Sequence, residues 1–147
     1  MKIALFALLA VALAPFQAFC GGGDGSAVAT PHKILITFEK HKVVVSMFDT
    51  PTSRDFLTLL PLELEFEDFA GEEKIAYLPR KLDTSGVPAS EAVQGDFTYY
   101  KPWGNLAVFY KGHGGDGQLA VLGRIESGKA KLAPITGNFT ATIEAIK

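Results

Sequence analysis

Cysteine is almost absent from this chain: Cys20 is the only one in 147 residues. A single thiol excludes a disulfide framework within the chain. Excess positive charge is missing too, because 14 Lys and Arg stand against 16 Asp and Glu, for a formal charge of −2. With no Lys/Arg cluster to neutralise phosphates, nucleic acid is excluded as a partner. The chain has no Gly-x-Ser-x-Gly elbow and no phosphate loop, so two common routes to catalysis are not written in it. His32, His41 and His113 lack the spacing of a zinc site, and no metal or cofactor is expected. Nor is there an apolar run of the roughly 20 residues that a spanning helix needs. The length admits one ordinary domain.

What is present is unevenly placed. Hydrophobic residues make up 48% of the chain, yet residues 1–20 hold a single charge, Lys2, followed by an apolar stretch from Ile3 to Ala14 that stops at Pro15. That pattern reads as a secretory signal peptide over 1–20. Gly21 to Ser26 open a Gly/Ser-rich tether over 21–30, and the folded domain is expected over 31–147. Cys20, placed between apolar core and tether, resembles the lipidation site of a bacterial lipoprotein. Gln17-Ala18-Phe19 departs from the small residues that such processing favours, and Ala27-Val28-Ala29 offers ordinary signal peptidase an alternative. Either route puts the domain outside the cytoplasm, in the periplasm or on the outer surface, with the membrane involved only through an anchor at Cys20.

Strand signals dominate the rest. Ile34 to Phe38 and Val43 to Phe48 are β-branched and aromatic, with the polar Glu39 to Lys42 between them as a hairpin turn. Pro51, favoured in a first turn, and a capping-box pattern of Thr52 with Asp55 predict one short helix carrying Phe56, Leu59 and Leu60 on one face. Leu62 to Glu67 alternates apolar with acidic, so Glu63, Glu65 and Glu67 are expected on a solvated face, as are Glu72 and Glu73. Further strands are predicted at Lys74 to Leu78, Phe97 to Tyr100, Leu106 to Tyr110, Leu119 to Ile125 and Phe139 to Ile146. Asp83 to Gln94 reads as a loop, and Gly112 to Gly117 as a turn. About eight short strands with one or two short helices describe a mostly β domain, and so many strands hide their edges best in a closed barrel.

Several words then occur in order: Thr52-Ser53-Arg54-Asp55-Phe56, Glu73 through Leu82, Gly95 through Tyr110, and Leu122-Gly123-Arg124-Ile125. From Thr37 onward the chain resembles the small bacterial and archaeal cyclophilin-like proteins, whose barrel is that of the peptidyl-prolyl isomerases without the full isomerase signature. The resemblance implies a cyclophilin-like β-barrel over most of the chain. Val93-Gln94-Gly95-Asp96-Phe97-Thr98 is similar to the isomerase Gln-Gly-Gly-Asp-Phe-Thr word with one glycine deleted, which aligns Gln94 with the isomerase glutamine. The apolar Phe and Met of that word fall here on Glu91 and Ala92. Arg80, after Leu78-Pro79, matches the isomerase arginine by position, and Trp103 comes too early to be the isomerase tryptophan.

Two roles follow as expectations. The first is a binding module for a small molecule or peptide, in a cleft lined by Tyr77, Arg80, Tyr100 and Trp103, without chemistry of its own. The alternative is a divergent peptidyl-prolyl isomerase using Arg80 and Gln94, for which Arg80 would donate to the amide and aromatic rings would form the proline slot. Pro102-Trp103-Gly104-Asn105 is the most distinctive local word, a ring held in a turn either as a ligand anchor or as a lid over the barrel end.

Overall fold

In the computed structural model, which describes residues 29–147, the β-branched runs become strands. The expected leader, Cys20 and the tether as far as residue 28 lie outside the described residues. Strands β1 (Ala29–Phe38) and β2 (His41–Phe48) form the predicted hairpin. Phe38 pairs with His41, so the turn contracts to Glu39 and Lys40, with Glu39 at a φ of 49°. Helix α1 (Pro51–Leu57) follows, with Pro51 in its first turn. Its cap differs from the expected one. Thr50, not Thr52, is the N-cap and accepts from the Ser53 amide, because the Thr52 hydroxyl donates instead to the Asp83 carbonyl and Asp55 is taken by Arg80.

The remaining strands are β3 (Leu62–Phe69), β4 (Glu73–Tyr77), β5 (Ser90–Ala92), β6 (Asp96–Tyr100), β7 (Asn105–Phe109), β8 (Gly114–Ser127) and β9 (Phe139–Ile146). Every pairing is antiparallel. The order β2-β1-β9-β3-β4-β7-β6-β8 is closed by a further β2–β8 pairing, giving a barrel of eight strands. Closure removes the open edges that an eight-stranded sheet would expose. The ninth strand, β5, pairs with the start of β8, where that strand runs beyond the ring. Among the described residues, a single 3₁₀ turn at Lys129–Lys131 completes the helical content.

Alternation along the strands fills the interior. Ile34, Ile36 and Phe38 from β1 meet Val43, Val45 and Met47 from β2, and all are buried. Phe56 of α1 reaches into the same core and packs edge to face on Phe97 at 5.4 Å, so the helix plugs the barrel. Phe139 stacks on Phe66 at 5.4 Å and touches Phe38 at 5.0 Å. At the β2–β8 seam the chain uses Gly123, where a Cβ would stand 2.4 Å from the Ser46 carbonyl oxygen. One charge lies among these apolar groups. Lys74 is 0% exposed, its Nζ bonded to Asp68 at 2.6 Å and to the Ile135 carbonyl, and it sits 4.8 Å above the Tyr110 ring.

Two segments depart from expectation. The predicted loop over 83–94 contains β5, whose Ser-Glu-Ala sequence has little strand propensity and is held extended by its partner β8. The predicted glycine turn is partly strand, because β8 begins at Gly114.

Candidate functional site

The site begins with an anomaly in β4 and β7. Their inward residues fill the barrel, yet several outward ones are apolar as well. In register, Glu73 faces Phe109, Ile75 faces Ala107 and Tyr77 faces Asn105. An apolar outer face calls for cover. Ala92 of β5 and Leu119 of β8 supply it, forming with Ile75, Ala107 and Phe109 a second small cluster against which Tyr100 packs.

That cover leaves a cavity of about 280 Å³ on the barrel's outer face. Ile75, Ala107 and Phe109 line it from the sheet, and Leu119 and Gly115 from β8. Three further rings border it. Trp103, from the turn between β6 and β7, meets Tyr100 at 5.4 Å and Phe69 at 5.9 Å, both edge to face. Trp103 is nevertheless 51% exposed, so the aromatic row faces solvent as well as the cavity.

The polar lining consists of Glu73, Asn105 and Asp116. Asn105 is only 2% exposed; its Nδ2 donates to the Leu106 carbonyl at 2.9 Å. Its Oδ1 and the Oε2 of Glu73 are buried, and no described residue donates to either. A buried acceptor left without a donor costs about 1–3 kcal/mol, so two of them on residues that line one cavity call for a partner. Burial pushes the Glu73 carboxyl up to about 7. On the β8 side, the Tyr100 hydroxyl donates to Asp116 at 2.8 Å, which raises the phenol above its usual range.

Of the residues expected to line a cleft, Tyr100 and Trp103 come together here. Tyr77 lies one step along β4, 56% exposed and outside the cavity lining. Arg80 is engaged elsewhere: its Nη1 and Nη2 donate to the two carboxylate oxygens of Asp55 at 2.9 and 2.7 Å, and it also reaches Thr58 and the Lys81 carbonyl. That fork, with the Asp83 amide, holds the Asp55 carboxyl below its ordinary range. Gln94 lies in the turn before β6 and donates to the Tyr110 carbonyl at 3.3 Å. Arg80 and Gln94 thus have separate partners.

Among the site residues that sequence reasoning missed are Glu73, Asn105, Asp116 and Phe69. Glu73 was expected on a solvated face, but it shares its face of β4 with the buried Ile75, and that face is covered. The period of two from Glu73 to Tyr77 held the signal. A second depression, about 590 Å³, adjoins β5 between Val87, Glu91 and Arg124. Two of its charges already pair with each other, since Asp96 accepts from Arg124 at 2.9 Å as well as from the Val93 amide at 2.9 Å. Among the described residues, no group of three or more His, Cys, Asp or Glu could hold a metal ion, and His113 is exposed.

Fold and cavity together define a closed antiparallel barrel bearing a small, half-open site on its outer wall. The chain belongs to the Cyclophilin-like family, whose model matches residues 36–144. It is similar to a hypothetical protein from Archaeoglobus fulgidus known from its solution structure, with a TM-score of 0.59 and 16% identity, over 81% of this chain and 98% of that one. At that identity the likeness speaks for the fold alone. No curated protein matches the chain.

Proposed function

We propose that this protein is an exported binding domain that takes a small molecule, or the end of a peptide, into the cavity beside Trp103 and performs no chemistry on it. The observation that carries this reading is the pair of buried, undonated acceptors on Glu73 and Asn105, two residues that line an apolar cavity beside a row of rings. Convergent polar groups in an apolar recess are the usual composition of a ligand site. Export rests on the leader-like residues 1–20. Incorporation of a labelled fatty acid at Cys20 would mark an anchored form, and its absence would favour cleavage near Ala27-Val28-Ala29.

Trp103 is the sole tryptophan of the chain, so its fluorescence reports directly on the cavity. Titration with small charged and neutral fragments and with short peptides should perturb that emission. Ala107→Phe, which fills the cavity from the sheet, should abolish the response while leaving a cooperative thermal melt. If no fragment or peptide perturbs Trp103, or if the filled variant responds equally, the binding reading fails. The isomerase alternative has less support, because the guanidinium it needs is forked onto Asp55. A protease-coupled prolyl-peptide assay comparing the protein with Arg80→Ala tests it.

A further inference from the structure

The chemistry of the cavity narrows its ligand. Its ionisable acids are Glu73 and Asp116, and no lysine or arginine is among the described residues that line it. The buried atoms without a partner, Glu73 Oε2 and Asn105 Oδ1, are both acceptors, so the missing groups are donors or positive charge. Phe69, Trp103 and Tyr100 stand in one row of edge-to-face contacts beside them. Aromatic faces attract cations through the ring quadrupole, most strongly where water is excluded. Size sets a further limit. A cavity of about 280 Å³ lies just below the roughly 300–1,000 Å³ of drug-sized ligand pockets, so the occupant is compact. An anion would meet two carboxyl groups with no compensating charge. A purely apolar guest would leave both acceptors buried and undonated.

Building on the binding reading above, we propose that the cavity recognises an organic ammonium group, with the aromatic row around its methyl or methylene groups and the Glu73 carboxylate as counter-ion. Asn105, at the far end of the paired strands, accepts a hydrogen bond from a second donor on the same ligand. Lys74, the next residue along β4, faces the barrel interior and does not compete for Glu73. The residues paired with Glu73, Phe69 on β3 and Phe109 on β7, carry no titratable group. The other titratable groups facing the cavity are Tyr100 on β6 and Asp116 on β8, bonded to each other. Binding of a cation favours the ionised form of Glu73. Affinity should therefore climb about tenfold between one pH unit below and one unit above about 7.

The test titrates three probes against the full protein by Trp103 fluorescence and calorimetry: choline, its neutral isostere 3,3-dimethylbutan-1-ol, and a short peptide carrying trimethyllysine. Choline binding about tenfold tighter than the isostere, with that preference and its pH dependence lost in Glu73→Gln, supports the proposal. A tighter peptide also supports it and assigns the ammonium group to a polypeptide; tighter choline assigns it to a free ion. Equal binding of choline and the isostere overturns the ammonium assignment while leaving the cavity a ligand site. Absence of any response to choline and the peptide overturns it too, and the fragment titration above then decides separately whether the cavity binds anything. A choline preference that survives in Glu73→Gln overturns the role given to that carboxylate.

Discussion

Asp68→Asn should be among the most damaging single changes to this barrel. Lys74 is wholly buried, and its ammonium is held by the Asp68 carboxylate at 2.6 Å, by one backbone carbonyl and by the Tyr110 ring. Removing the negative partner leaves that charge in the core with neutral acceptors only, a loss of about 3–5 kcal/mol. Against a total stability of about 5–15 kcal/mol for a typical domain, that loss is large. The reverse change is milder. In Lys74→Met the charge is gone, while Asp68, 22% exposed at its side chain, keeps the Tyr110 hydroxyl at 2.7 Å, the Gly71 amide at 3.0 Å and water. Its cost should stay within about 1.5 kcal/mol, since an apolar isostere of a buried ion often replaces it without loss. Urea titration of the three proteins, with unchanged slopes, measures both values. A cost below about 1 kcal/mol for Asp68→Asn, or a greater one for Lys74→Met, would refute the reasoning. Acid adds a second check. Burial opposes the Asp68 charge, but the bonds from Lys74 and Tyr110 outweigh it and hold the carboxyl below its ordinary 3.8. The stability it contributes is complete above that value and is lost as pH falls through the lower folded one, a component that Asp68→Asn should lack.

Gly123→Ala should prevent normal closure of the β2–β8 seam, because the new methyl meets the Ser46 carbonyl at 2.4 Å and Met47 Cα at 3.0 Å; loss of the cooperative melt, or a drop of at least about 3 kcal/mol, is expected. Arg80→Ala should change the denaturation midpoint little, since the pair with Asp55 is partly solvated, and should leave Trp103-detected binding unchanged. Glu73 has the opposite sign to Asp68. Its folded value is raised from 4.5 to about 7, so the folded state holds its proton longer and stability declines as pH rises across that interval, a slope that Glu73→Gln should remove from denaturation curves.

Much of the barrel was legible because its first hairpin alternates cleanly: Ile34, Ile36 and Phe38 point one way, as do Val43, Val45 and Met47, and period two suffices. Phe56 was readable as a buried helical residue, although α1 ends at Leu57 and so leaves Leu59 and Leu60, expected on the same face, beyond the helix. The site was less legible. Leu106 through Phe109 is apolar without a break, so the sequence pattern does not separate the residues filling the barrel from Ala107 and Phe109, which build the outer cavity. Trp103 and Tyr100 were visible as aromatic residues in and beside a turn. Arg80 was not readable as a structural tie, because its partner Asp55 lies 25 positions away and meets it only after the helix has docked. The strand state of β5 is likewise conferred by β8, not by its own residues.

The order of the ring also has a kinetic side. Strand β9 lies between β1 and β3, and β8 pairs with β2, so the earliest hairpin needs partners from the last part of the chain on both of its edges. Contacts so distant in sequence make folding slow, on the order of milliseconds to seconds for β-rich domains of this kind. A growing chain therefore holds its first hairpin open at the β2 edge until β8 is made and at the β1 edge until Phe139 to Ile146 arrives. Closure of the barrel therefore comes last, when the C-terminal strand is available to bridge β1 and β3.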